Sequence, residues 1–195
     1  MTRFALMRHA ETEWNRENRI QGQQDAPLTA VGRRQAGKWG RALSRYPLDH
    51  LVTSDLGRAA LTGALMNQKL GLASTVEPRL REQDWGQWSG LKQSDLDIDA
   101  IRAQEKMGWH FRPPGGESRL EVLERSCQAL VSIARRLRGN RVVVVTHGGV
   151  IRCLLYRLFE RSFLPEEPPL IEPYRLHWVS FDGEGFHAER LNEEI

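Results

Sequence analysis

Two histidines in this chain each stand directly after a short apolar run. Leu6-Met7 leads into Arg8-His9-Ala10-Glu11-Thr12, and Val142-Val143-Val144-Val145-Thr146 leads into His147-Gly148-Gly149. Runs of this composition read as buried strands, and in an open α/β sheet ligands bind at the carboxyl ends of strands, where the connections diverge. If the two strands are neighbours, both imidazoles face one pocket with the Arg8 guanidinium beside them. Two imidazoles and a planar cationic fork suit a phosphate group above other ligands. Gly148 and Gly149 remove side chains where a helix is expected to begin, so an anion can approach backbone N–H groups there.

The elements that must position these groups alternate along the chain. Residues 3 to 8 read as a strand, followed by a loop rich in Asn, Gln, Gly and Asp through Pro27. Thr29 is placed as an N-cap, with Val31, Ala36, Trp39, Ala42 and Leu43 as the apolar face of a helix ending near Pro47. His50 to Thr53 form a short strand, Ser54 is expected to cap the next helix, and Gly71 to stop it. Residues 74 to 77 add a strand. Ser118 and Glu121 have capping-box spacing and open a helix whose apolar positions are Leu120, Leu123, Cys127, Leu130, Ala134 and Leu137. A strand at 142–146, a helix from about 149 to 160, and strands near 175–181 and 186–190 complete the order.

This alternation predicts an α/β fold: a three-layer α/β/α sandwich with a mainly parallel central sheet. The less regular stretch at about 85–117, holding one weak helix near 93–107, is expected to be a small lid over the strand C-terminal ends. The 195 residues carry no repeat, low-complexity segment or linker, and fit one domain.

Composition narrows the function classes. Net charge is +3, from 24 arginines and four lysines against 25 acidic residues, and the arginines are dispersed among the acids. Nucleic-acid binding would call for a one-faced basic stripe or a recognisable module, and neither is present. No apolar run is long enough to span a membrane, and Arg8 interrupts the first one too early for a signal peptide. The two cysteines, Cys127 and Cys153, fall inside helix-like patterns and read as reduced core thiols, consistent with a cytoplasmic protein. No HExxH, CxxC or P-loop pattern occurs, so nothing visible requires a metal or a nucleotide cofactor.

The segment Leu6-Met7-Arg8-His9-Ala10-Glu11-Thr12-Glu13-Trp14-Asn15 closely resembles the signature of the histidine phosphatase superfamily, also called phosphoglycerate mutase-like. Gln21-Gly22, Asp25 with Pro27-Leu28-Thr29, and Gly32 with Gln35-Ala36 match the family's segment just beyond that signature. Thr53-Ser54-Asp55-Leu56-Gly57-Arg58 with Thr62 looks like the second arginine motif. Leu80-Arg81-Glu82 with Gly86-Gln87-Trp88-Ser89-Gly90 is similar to the acid motif. Pro114-Gly115-Gly116-Glu117-Ser118 and Val145 through Arg152 complete a set in family order.

The resemblance implies a metal-independent phosphatase acting on small phosphate monoesters. His9 is then the nucleophile that becomes phosphohistidine, and Glu82 the proton donor and acceptor. Arg8, Arg58, His147 and Asn15 bind the phosphoryl oxygens, Gln21 and Gly22 line the entrance, and Gly148 lies beside them. Ala10 stands where many members have glycine, and Ser89 where a glutamate is frequent. The second departure bears on local packing more than on catalysis.

Within this resemblance a phosphoglycerate mutase is the alternative. That branch carries a longer segment after the acid motif, whereas here Glu82 runs at once into Gln83-Asp84-Trp85-Gly86-Gln87-Trp88. An α-ribazole phosphatase, a broad-specificity phosphatase and a sugar-phosphate phosphatase all remain open. A non-catalytic protein-binding member is the alternative of another class, and a homodimer is compatible with the sequence. In the lid, Trp85, Trp88 and Trp109 are expected to serve packing first. His110 and Arg112 are candidates for reading a second charge on the substrate, and Asp95, Asp97 and Asp99 for a solvated face.

Overall fold

The computed structural model describes residues 1–195. Six strands form one sheet: β1 (Thr2–Arg8), β2 (His50–Thr53), β3 (Ala73–Val76), β4 (Arg141–Thr146), β5 (Leu176–Phe181) and β6 (Phe186–Glu193). The helices are α1 (Glu13–Arg16), α2 (Ala30–Leu43), α3 (Gly57–Leu70), α4 (Ile98–Glu105), α5 (Arg119–Arg136) and α6 (Gly148–Leu158). The sheet order is β3-β2-β4-β1-β5-β6. The pairs β3–β2, β2–β4 and β4–β1 are parallel, and β5 closes the far side antiparallel to both β1 and β6.

Pleating sorts the strand residues into two cores. Phe4, Leu6, Val142 and Val144 point one way, onto Leu130, Ile133, Ile151 and Leu155 of α5 and α6. Ala5, Met7, Val143 and Val145 point the other way, onto Ala36, Trp39, Ala59 and Met66 of α2 and α3. Four consecutive valines therefore serve two cores at once, as expected of a strand buried on both faces. Each contributes about 1.5–3 kcal/mol of burial free energy. This is the expected three-layer arrangement, with its helices split between the two faces.

Local signals held where the cap lies next to its helix. Thr29 Oγ1 accepts from Gly32 N at 2.8 Å, Ser118 and Glu121 form a reciprocal capping box, and Gly71 ends α3 with φ +65°. Ser54 is not the cap of α3, which begins at Gly57. Its orphan N–H groups are met from a distance: Asp25 carboxylate oxygens accept from Gly57 N at 2.6 Å and Arg58 N at 3.2 Å. On α2 the expected face is buried at Ala36, Trp39 and Leu43, with Val31 exposed, and on α5 Leu130 and Ala134 turn inward as expected, joined by Val122, Ser126, Ala129 and Ile133, while Leu120 is exposed. No helix is long and apolar enough to cross a membrane.

Candidate active site

The register of β1 on β4 opposes Leu6 to Val144 and Arg8 to Thr146, so both strands stop at the same level. His9 N donates to Thr146 O at 2.9 Å, which locks the two strand ends together. The rings of His9 and His147 consequently lie 5.3 Å apart, tilted by 57°. Both are fully enclosed, at 1% and 0% exposure.

His9 Nδ1 lies 2.8 Å from Ala10 O and donates to it, which leaves Nε2 with its lone pair. Arg58 Nε donates to that nitrogen at 3.2 Å. The rest of the Arg58 guanidinium is held by Gln24 O (2.6 Å), Gly22 O (2.7 Å) and Asp25 Oδ1 (3.0 Å). Asp25 thus caps α3 and orients its first arginine with one carboxylate. Arg8 lies 5.5 Å from the Tyr174 ring centroid, and its buried Nε has no protein partner. Burial lowers the His9 pKa well below the usual imidazole value, and the Arg8 and Arg58 charges push it the same way. Burial and then Arg58 do the same to His147. Both imidazoles are neutral at neutral pH.

Ser54, displaced from its expected capping role, takes up His147. Its Oγ accepts from Leu56 N and sits 2.9 Å from His147 Nε2. This contact holds the ring through Nε2 and leaves Nδ1 as its other nitrogen. That Nδ1 is buried and has no partner in the protein.

Glu82 lies across the cleft. Its Oε1 accepts from Gln83 N at 2.9 Å and its Oε2 from Gly149 N at 3.2 Å, the second being an N-terminal amide of α6. A Cβ at 149 would press on Glu82 Oε1, so a larger residue there must shift the carboxylate. At Gly148 a Cβ would meet only ordinary contacts with Arg8, so the steric demand falls on the second glycine. The Glu82 backbone is clamped from outside: Glu82 O accepts from Arg125 Nη2 (3.0 Å) and Gln23 Nε2 (3.2 Å). Arg125 also holds Arg79 O and Arg81 O and pairs with Glu117. Thr146 Oγ1 donates to Leu80 O at 2.7 Å, tying this segment to the end of β4.

A cleft of about 860 Å³ opens over these groups. Arg8, His9, Arg58, Glu82, Asn15, Gln21 and Gly22 all line it, whereas Gly148 lines a smaller neighbouring cavity of about 260 Å³ and His147 lies behind the wall. Asn15 Oδ1 accepts from Thr12 N at 3.0 Å, which fixes its amide and leaves Nδ2 as the free donor. Trp85 stands at the wall against Phe111, while Trp88 is buried and Trp109 packs edge-on against Phe163. His110 and Arg112 do not line the cleft; Arg112 pairs with Glu121 on the outer surface at 2.7 Å. Asp97 caps α4. Asp25, Ser54, Arg125 and Arg119, for which sequence patterning suggests no part in the site, all act on it or line it. The quoted motifs do contain the first two.

The buried histidines set an acid limit on stability. His177, enclosed on β5, is pulled down to about 4 by burial. A histidine whose folded pKa lies below its unfolded value of about 6.5 costs nothing above pH 6.5 and about 1.4 kcal/mol per pH unit below it, until the folded pKa is reached. His177 alone is therefore expected to cost about 2 kcal/mol at pH 5, with His9 and His147 acting in the same direction. Urea midpoints measured from pH 7.5 to 4.5 should fall steadily below 6.5, and His177→Gln should flatten the profile. A flat wild-type profile would contradict the burial of neutral imidazoles.

The family model described as histidine phosphatase superfamily (branch 1) matches residues 4–194. A probable phosphoglycerate mutase GpmB of Salmonella choleraesuis is 38% identical over 164 residues, covering 80% of this chain and 74% of that protein. Among solved structures, Bacillus stearothermophilus YhfR superposes with a TM-score of 0.90 at 31% identity, covering 100% and 98% of the two chains. A mycobacterial glucosyl-3-phosphoglycerate phosphatase in complex with VO3 gives 0.85 at 30% identity, covering 98% and 99%. The chain belongs to the histidine phosphatase superfamily, and its reaction class is that of a phosphoric monoester hydrolase.

Proposed function

We propose that this histidine phosphatase superfamily member hydrolyses small phosphate monoesters through a phosphohistidine on His9. The observation that carries the reading is the His9 Nε2 lone pair, met by the Arg58 Nε–H in a cleft wall that Arg8 and Glu82 share. Attack by Nε2 forms an N–P bond as the ester P–O bond breaks, and Glu82 in its protonated form supplies the proton to the departing oxygen. Water then attacks phosphorus while the Glu82 carboxylate takes its proton, and the N–P bond breaks to regenerate neutral His9.

Charge at the phosphoryl oxygens is met by Arg8 and Arg58, by His147 and by the free Asn15 amide; Gln21 and Gly22 shape the entrance. Because guanidinium groups supply this charge, turnover of p-nitrophenyl phosphate is expected to persist in EDTA. In this reading the whole chain is one domain, and residues 85–117, which contribute Trp85, Ile98, Ile101 and Phe111 to the cleft wall, are its lid. The free thiols of Cys127 and Cys153 fit a cytoplasmic setting.

Arg58→Lys tests the phosphate clamp. A point charge replaces a fork with fixed donors, and charge-assisted hydrogen bonds of about 1.5–3 kcal/mol are at stake. The expected loss in kcat/KM on p-nitrophenyl phosphate is about tenfold to a hundredfold. Wild-type kinetics in this variant would remove Arg58 from the phosphate site.

One observation favours a second reading, the mutase name carried by the Salmonella relative. A mutase must return the phosphoryl group to the bound alcohol before water reaches it. Incubation with 3-phosphoglycerate separates the two: hydrolysis releases inorganic phosphate and glycerate, whereas mutase action yields 2-phosphoglycerate. A wider panel of phosphorylated metabolites, α-ribazole phosphate included, scored by released phosphate, ranks the substrates.

A further inference from the structure

We propose that Arg119 and Arg152 form a second anion-reading subsite in the cleft, selecting phosphate monoesters whose alcohol part carries a carboxylate or a second phosphate. This rests on the phosphatase reading above and adds a substrate class to it.

Arg119 is the first residue of α5, and its guanidinium is sandwiched between Phe111 and Phe163, 4.3 Å from each ring centroid. Its Nη1 donates to Gly108 O at 2.9 Å and Phe163 O at 3.1 Å. Two rings fix the plane and two carbonyls fix one edge, and the side chain lines the same cleft as His9. No carboxylate is among these partners. Arg152 lines that cleft as well, on α6 one turn beyond Gly149, whose N–H holds Glu82. A spacing of three residues places it about 4.5 Å further along the helix axis.

Arg119 is half-buried and Arg152 is exposed, both on the wall of the one cleft. Burial, and then the Arg152 charge, pull Arg119 down to about 10, so it remains charged at neutral pH. Glu105, on the same wall, offsets part of this. Tethering the turn at Gly108 to the Phe163 loop would account for the Nη1 bonds and the stacking, but not for a second arginine lining the same cleft. The direction of the chemistry also fits. The leaving alcohol must depart toward the acid that protonates it, and Arg152 stands one helical turn past the Glu82 anchor. An anionic group on the alcohol would therefore meet Arg152 and the free edge of Arg119.

Two matched substrate pairs test this: 3-phosphoglycerate against glycerol 3-phosphate, and fructose 1,6-bisphosphate against fructose 6-phosphate. The first pair adds a carboxylate and the second a phosphate, so together they identify which anion is read. At least one pair is expected to show a kcat/KM ratio of about tenfold or more in favour of the extra anion. Arg119→Gln and Arg152→Gln should each bring that ratio toward one, and Arg119→Lys should retain part of it. Wild-type ratios near one for both pairs, or ratios unchanged in both glutamine variants, would overturn the subsite. If neither these four compounds nor p-nitrophenyl phosphate releases phosphate, the phosphatase reading fails by itself. Calorimetric titration of His9→Ala protein with the same pairs still reads the anion preference, and its absence there overturns the subsite independently.

Discussion

His9→Ala should lower kcat on p-nitrophenyl phosphate by about 10⁴-fold or more, because it removes the atom that forms the covalent bond while leaving only the charge clamp. The wild-type protein, quenched during turnover of a ³²P-labelled substrate, should retain an acid-labile, base-stable label that the variant lacks. Arg58 bears on how this is read, since its Nε–H donates to His9 Nε2 and must shift to a phosphoryl oxygen as attack begins. The neutral state of His9 does not depend on a catalytic base. Burial and two guanidinium charges already keep the ring unprotonated, so the acid limb of kcat/KM should fall below pH 6.5. A stable label in His9→Ala, or an equal loss of Tm and activity, would move the nucleophile elsewhere or reduce His9 to a structural residue.

The strand-end histidines were legible because a strand buried on both faces writes a continuous apolar run, and such a run has a visible end. β4 divides four valines between two cores, so the position of His147 follows from composition alone. Ser54 was misread for a different reason. It has the residue type of an N-cap and precedes a helix, but the acceptor that satisfies α3 comes from Asp25, 32 positions earlier. Ser54 is thereby free to orient His147. Helix faces were legible in part: Ala36, Trp39 and Leu43 of α2 turn inward as expected, whereas on α5 Leu120 and Val122 both look apolar and only packing decides which turns inward.

The lid was the least readable part, since its turns follow no period. His110 and Arg112 were candidates for reading a second substrate charge because they fall in the segment expected to be the lid. Folding instead pairs Arg112 with Glu121 outside the cleft and brings Arg119 to the wall, between two phenylalanines 52 positions apart in sequence. No local pattern announces a stack assembled from such distant segments. The support of Glu82 is similarly non-local. Arg125, Gln23 and Gly149 approach it from three different elements, and the closeness of the glycine to the carboxylate shows only in the fold.

Glu82→Gln is the sharpest test of mechanism, because the amide keeps one oxygen to accept from Gly149 N or Gln83 N, though not from both, while losing the ability to exchange a proton. General acid–base catalysis contributes about 10²–10⁴-fold, and the loss should fall unequally on different substrates. An alkyl alkoxide needs a proton to leave, whereas p-nitrophenolate departs tolerably without one. If transfer to His9 limits the rate, Glu82→Gln should therefore lose more kcat on an alkyl phosphate than on p-nitrophenyl phosphate. If breakdown of phosphohistidine limits it, both substrates should slow alike and label should accumulate on His9, since the missing function is then the base that activates water. The two outcomes assign Glu82 to one half-reaction or the other. An unchanged rate on both substrates would exclude it from the chemistry. Asp84, the next carboxylate in sequence, is occupied in accepting from Gly86 N at 2.8 Å and does not line the cleft, so a null result would point away from this segment altogether.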